Sequence, residues 1–395
     1  VFDFNTQGIE SYVDGDWVKA KGTTLGADNG IGVAAIMSLL SSSDIAHPPL
    51  EALFTIDEET GMTGAFNLEQ GILKGDILLN LDTEDDDEFS IGCAGGIDTN
   101  TTLHYQTEQA AEGSYAYHIS ISGLKGGHSG VDIHLERGNA NKILARLLEV
   151  GLNHGILLSM IDGGSLRNAI PREAKAVVIV NHESFEQEAN LLSAQITNEY
   201  AHHDSGLKIN ITKTDVPADC MSAELSVKVI QSLRAVHNGV YHMSPSIPGL
   251  VETSSSLARV QLGEGKFITQ SLQRSSLESG KWDVCKSVGS VFALMGCEVE
   301  HGGSYPGWAP NPQSDILEIM KERYETLFGE SPKVAAIHAG LECGIIGERV
   351  PGLDMISFGP TIKNPHSPDE KVGISSVQKF WKLLLDVLER IPVRA

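Results

Sequence analysis

Cysteine is scarce and scattered: five residues, at 93, 220, 285, 297 and 343, form no C-x-x-C pair. That argues against a disulfide framework and a cysteine-ligated zinc site, and points to a reducing compartment, the cytoplasm. Basic residues are also under-represented, 29 against 52 acidic ones, for a net charge of −23. A surface of that sign repels phosphate backbones and anionic lipid, so neither nucleic acid nor a membrane is an expected partner. No apolar run approaches the ~18 residues needed to cross a bilayer, and the acidic opening Val1-Phe2-Asp3-Phe4 is not a signal peptide. Phosphate-binding glycine loops are missing too. The glycines that follow Leu25 lead to no Gly-Lys-Ser/Thr, and no G-x-G-x-x-G occurs.

What remains is a globular chain of 395 residues, 41% hydrophobic and 21% charged, enough for two or more domains with real cores. Function has to be read from sites. The stretch from Glu51 to Gly61, EALFTIDEETG, is an apolar run that stops at two adjacent carboxylates, Glu58 and Glu59, and reads as a buried strand carrying chemistry at its tip. Neighbouring strand residues face opposite ways, so one carboxylate can meet a metal and the other a substrate water. Alone, a Glu-Glu pair is more simply a solvated turn; the case rests on what else converges. Upstream, TTLGADNGIG (Thr23 to Gly32) places Asp28 just before an apolar helix from Val33 to Leu40, where a carboxylate suits either an N-cap or a metal. Downstream, a helix-like segment from Gly64 to Gln70 is followed by a second apolar strand from Gly75 into Asp82, then a solvated acidic turn from Glu84 to Glu88.

Short apolar strands alternating with helices, here and again after residue 312, are the pattern of a wound α/β sheet, in which ligands collect at the carboxyl ends of strands. Residues 96–311 change texture to alternating strands, such as Tyr115–Ser122 and Ala174–Val180, with helices near 138–150, 184–200 and 221–237. They read as an inserted α+β domain, with a duplicated strand-helix unit as a plausible origin. The wound sheet is therefore split, 1–95 and 312–395, and closes with an amphipathic helix from Ser375 to Ile391. Asp28, Glu59, Asp82 and the loop residue His366 are oxygen-rich ligands with one imidazole, a set that suits zinc, cobalt or manganese. Glu58 is then left free as a general base for metal-assisted hydrolysis.

TTLGADNGIG, the Glu58-Glu59 pair, Leu81-Asp82 and NPHSPDE (Asn364 to Glu370) resemble the co-catalytic zinc aminoacylase/carboxypeptidase-type metallopeptidases. The likeness extends through GCAGG (Gly92 to Gly96) and GLKGGHSG (Gly123 to Gly130) to nearly the whole chain. It implies a zinc-exopeptidase-like sheet with helices on both faces, an inserted lid, and two divalent ions, zinc by family habit. Asp28 would bridge the ions, Glu59 and His366 complete one site, Asp82 serve the other, and Glu58 act as the base. A cis peptide after Asp28 is also implied. The family's His-x-Asp motif, source of the second ion's histidine and of the aspartate that orients Glu58, is expected upstream of Val1. His202-His203-Asp204 has the letters but reads as a surface turn.

In the insert, the resemblance makes His128 the oxyanion-stabilising histidine, and Asn168, Arg274 and the backbone at Gly340 substrate contacts. Arg274 suits a C-terminal carboxylate. The plainer readings are turn residues for His128 and Asn168 and a surface ion pair for Arg274; His118, His237 and His338 default to packing or solvent. The implied activity is hydrolysis of a dipeptide substrate, of the Xaa-His (β-Ala-His) type, by a monomer or a homodimer. Its rivals are an N-acyl amino acid deacylase or tripeptidase on the same scaffold, and a non-catalytic metal-dependent peptide-binding protein.

Overall fold

In a computed structural model that describes residues 2–391, four short strands form the central sheet of the first of two units. This unit runs to Cys93, resumes over Trp308–Ile337 and continues from Leu341. Its strands stand in the order Lys333–Ile337, Glu88–Cys93, Asp354–Ser357, Ile77–Asn80, with the outer pairs parallel and the central pair antiparallel. Phe89 and Phe358 project from this sheet to Tyr324 and Phe380, at ring-centroid distances of 5.6 and 5.5 Å. Those contacts seat helices Asp315–Phe328 and Ile374–Arg390. The second of these buries Phe380, Leu383, Leu384, Val387 and Leu388 at the three-and-four spacing of a helix lying on a core. A separate layer, Thr63–Phe66 with Glu342–Arg349, packs Ala65, Ile345 and Ile346 against Leu78. A smaller antiparallel sheet includes Ile362–Lys363 and Lys371–Gly373, and the loop between those two strands carries His366.

The second unit comprises Ala94–Gly307 with His338–Gly340. It is built on a nine-stranded sheet whose neighbours are all antiparallel. Strand Tyr115–Ser122 follows the two-residue period of a half-buried strand: Tyr117, Ile119 and Ile121 enter the core, and the residues between them do not. Helices Ala140–Val150, Ser184–Glu199, Ala223–Ala235 and Glu278–Leu294 pack on that face and share its core with residues of the other strands such as Leu158, Val178 and Phe267.

Several expectations need correction. Glu51 to Asp57 forms no strand: it pairs with none of the described strands, and Phe54 and Ile56 are 50% and 74% exposed. Strand propensity reports how a residue packs in a sheet, and without a neighbour there is no ladder to join. The helix expected to start at Gly64 is the single turn Thr63–Phe66. The acidic run is not simply solvated: Asp85, Asp86 and Asp87 lie 2.5, 3.8 and 2.8 Å from Lys363, Lys379 and Lys333. His202 and His203 are exposed, but Asp204 is buried and accepts from Lys125 N and Gly138 N, both at 2.7 Å, so it ties two loops together.

Candidate functional site

In the first unit, Glu58 opens a single helical turn, Glu58–Gly61, entered through Asp57 at φ 61°. Side chains hold the segment that lacks a ladder. Thr60 and Thr63 donate to the Asp57 carboxylate, Thr63 at 2.9 Å, and Thr55 Oγ1 donates to Glu342 at 2.7 Å. Gly64 N donates to Ile56 O at 3.0 Å, and a Cβ at position 64 would lie 2.5 Å from Ile56 N, so only glycine allows this approach.

Asp28 lies where helix Ala27–Ser41 is bent: Asp28 and Asn29 have non-helical dihedrals, and the bond between them is cis, as the resemblance implied. His366 Nε2 stands 2.9 Å from Asp28 Oδ2 and 3.0 Å from Glu59 Oε2. One donor atom from each of Asp28, Glu59 and His366 falls within 4.8 Å of the other two. Asp82, two residues beyond strand Ile77–Asn80, lies near enough to Asp28 for that charge to act on it. The structure thus brings together three of the four ligand candidates, Asp28, Glu59 and His366, with Glu58 beside Glu59 and Asp82 close enough to feel the Asp28 charge.

Glu370 was not singled out from sequence. Its carboxylate is buried and accepts from five donors of one loop. They are Thr24 Oγ1, Leu25 N at 2.7 Å, Gly26 N and Ala27 N at 2.8 Å, and Asp28 N at 3.2 Å. Burial pushes Glu370 up, but these donors more than reverse it and its pKa ends below the usual carboxylate value. Because Glu370 lies four residues after His366, one side chain joins the Asp28 loop to the histidine loop. The available signal was the acid closing NPHSPDE.

In the second unit, His128 lies on a two-residue strand paired with Ala169–Ile170, and Ser129 N donates to Asn168 O at 2.8 Å. Gly130 N and Val131 N donate to His128 Nδ1 at 3.2 and 3.0 Å. That leaves Nε2 as the N–H of the neutral ring. Burial, then the Arg274 charge, lowers the His128 pKa and favours that neutral form. Arg274 is 4% exposed, so it is no surface ion pair. Its Nη1 donates to Tyr305 Oη at 2.8 Å, and Nη2 lies 3.4 Å from His128 Nε2. His338 is buried, with Nε2 2.7 Å from Ser254 Oγ; burial, then Arg274, pushes its pKa down to about 3. Gly340 packs on the Tyr305 ring, and Asn168 is exposed beside His128.

A family model described as peptidase family M20/M25/M40 matches residues 5–390. The chain belongs to this peptidase family. It is 42% identical over 399 residues to the cytosol non-specific dipeptidase of Escherichia coli (strain K12), spanning 100% of this chain and 82% of that protein. It resembles the crystal structure of aminoacylhistidine dipeptidase from Vibrio alginolyticus with a TM-score of 0.95 at 44% identity, covering 100% of this chain and 81% of the other.

For an M20/M25/M40 peptidase, the electrostatics of the acid cluster are informative. Carboxylates this close repel unless protons or a cation sit among them. Burial, then the charges on Asp28 and Glu58, pushes Asp82 up to about 8. Burial, then Glu59, Glu342 and Asp28, pushes Glu58 up to about 7. Burial pulls His366 down, but its bond to Asp28 and the Glu59 charge outweigh that, so the net shift is upward. A divalent cation meets the same need, and three carboxylates with one imidazole are donors that zinc, cobalt or manganese accepts.

A stability trend follows for chelator-treated protein. Carboxyls whose folded pKa lies above the unfolded value of about 4 hold protons that unfolding releases. Their contribution is therefore lost as pH rises from about 4 through the folded values of about 7 and 8 for Glu58 and Asp82. Thermal melts of metal-free protein should give a lower Tm at pH 8.5 than at pH 5.5, and added zinc should shrink the difference. A metal-free Tm that rises over that interval contradicts the reading.

Proposed function

We infer that this protein hydrolyses dipeptides in a metal-dependent reaction, with Xaa-His dipeptides such as β-Ala-His among its substrates. The observation that carries the reading is the Asp28–Glu59–His366 donor cluster with Glu58, a neighbouring carboxylate, outside it. The two relatives above, a cytosol non-specific dipeptidase and an aminoacylhistidine dipeptidase, point the same way. In this reading Asp28, Glu59 and His366 would hold a divalent ion, zinc first among the candidates, and Asp82 would contribute to a second. A divalent ion held there would supply Lewis-acid chemistry, polarising the scissile carbonyl and acidifying the attacking water. Glu58 takes the proton from that water and returns it to the leaving amine. His128 donates its Nε2–H to the oxygen on which negative charge grows. Arg274 takes the C-terminal carboxylate, while Asn168 and the Gly340 backbone contact the rest of the dipeptide. The cytosolic relative and five buried free cysteines support a cytoplasmic enzyme.

Substrate choice separates the rival activities. On this account zinc-loaded protein cleaves β-Ala-His and leaves a tripeptide and an N-acetyl amino acid essentially intact. Preferential cleavage of the N-acetyl amino acid would make it a deacylase, and of the tripeptide a tripeptidase. Binding of dipeptide without any turnover would make it a binding protein.

A further inference from the structure

We propose that Tyr305 is a positioning residue for Arg274, and that through it the enzyme selects substrates ending in a free carboxylate. The inference rests on the assignment of Arg274 to that carboxylate. It starts from sheet register. Arg274 pairs with Gly96 on the adjoining strand, and Gly96 pairs on its other side with Tyr305. The three residues make one row across three strands, and same-row side chains on one face reach towards each other. The central position has no side chain. Arg274 and Tyr305 can therefore meet above it, with Nη1 2.8 Å from the phenol oxygen. A Cβ on Gly96 would come within 2.5 Å of the Tyr305 ring, so the gap in the row is filled by that ring and tolerates nothing else.

Tyr305 is itself held through both its ring and its backbone. A Cβ on Gly340 would lie 2.9 Å from Tyr305 Cε2, so the ring is packed at this second glycine as well. The Tyr305 carbonyl accepts from Lys281 Nζ at 2.8 Å, and Lys281 is only 1% exposed. The register of strand Glu298–Tyr305 shifts between Gly302 and Tyr305, an irregularity of the kind that re-aims a side chain at the end of a ladder. No carboxylate lies within ion-pair distance of Arg274 among the described residues, and its Nε has no protein partner. Tyr305 therefore fixes the plane of a buried guanidinium while leaving its charge uncancelled. A neutral oxygen occupies one of five donors, and the rest of the fork stays available to an anion.

The test compares kcat and KM for a dipeptide and for the same dipeptide as its C-terminal amide, in wild type, Y305F and R274Q, with thermal melts to confirm folding. Y305F keeps the ring on Gly96 and Gly340 and removes only the hydroxyl. The acid-over-amide ratio of kcat/KM should fall about tenfold in Y305F, a hydrogen bond to a charged group at work, mostly through KM, and further in R274Q. If R274Q collapses the ratio and Y305F leaves it unchanged, or lowers both substrates equally, the positioning role of Tyr305 is overturned while the Arg274 assignment stands. If neither variant moves the ratio, the Arg274 assignment fails and takes this proposal with it.

Discussion

Glu58→Gln should lower kcat on β-Ala-His by about 10²–10⁴-fold, the range a general base contributes, while leaving bound zinc and KM nearly unchanged. The amide keeps the shape of the side chain and removes its ability to take a proton. The structure supports this separation of roles between adjacent acids. Glu59 Oε2 is 3.0 Å from His366 and belongs to the donor cluster, whereas Glu58 lies outside it on the first residue of its turn. Glu58 is half-buried, and burial with the neighbouring acids Glu59, Glu342 and Asp28 raises its proton affinity, pushing its pKa up to about 7. Zinc content by atomic absorption alongside steady-state kinetics checks the point. Loss of zinc in the Glu58→Gln protein would move Glu58 into the ligand set, and unchanged kcat would remove it from catalysis.

Glu370→Gln should weaken zinc binding by about 10–100-fold, as removal of a group that orients metal ligands does, and lower the Tm of the metal-free protein. The carboxylate accepts from Thr24, Leu25, Gly26, Ala27 and Asp28. A carboxamide keeps one acceptor oxygen and turns an NH₂ towards donors that want an oxygen. Each buried N–H left without an acceptor costs about 1–3 kcal/mol, so the Asp28 loop has a strong incentive to rearrange. Rearrangement moves a ligand without altering any ligand, which distinguishes Glu370 from the residues it supports. Competition with a chromogenic zinc chelator measures the affinity directly. Equal affinity in Glu370→Gln and wild type would show that the loop holds its shape without this anchor.

The candidate ligands could be picked out because they sit in short local signals: a small-residue turn around Asp28, an acid pair after an apolar run, an acid after a second apolar segment, and a histidine in a proline-bounded loop. Helices and strands with strong periodicity were equally readable, including Tyr115–Ser122, Ala174–Val180 and the carboxyl-terminal helix. What could not be read depends on distant partners. Glu370 matters through donors more than 340 residues away, and Asp204 through two loops 66 and 79 residues distant. Tyr305 matters through a sheet register that places Arg274 and Gly96 in its row. The failure at Glu51 to Asp57 has the same origin: its pattern is that of a strand, but strand formation is a property of pairs.

The most direct test of the central claim, a metal-dependent dipeptidase, is to strip the protein with chelator, titrate zinc back, and follow β-Ala-His hydrolysis and bound metal on the same samples. The account predicts negligible turnover without metal and turnover that rises with bound zinc. Hydrolysis that is indifferent to chelation, or zinc-loaded protein that leaves every dipeptide intact, would contradict it.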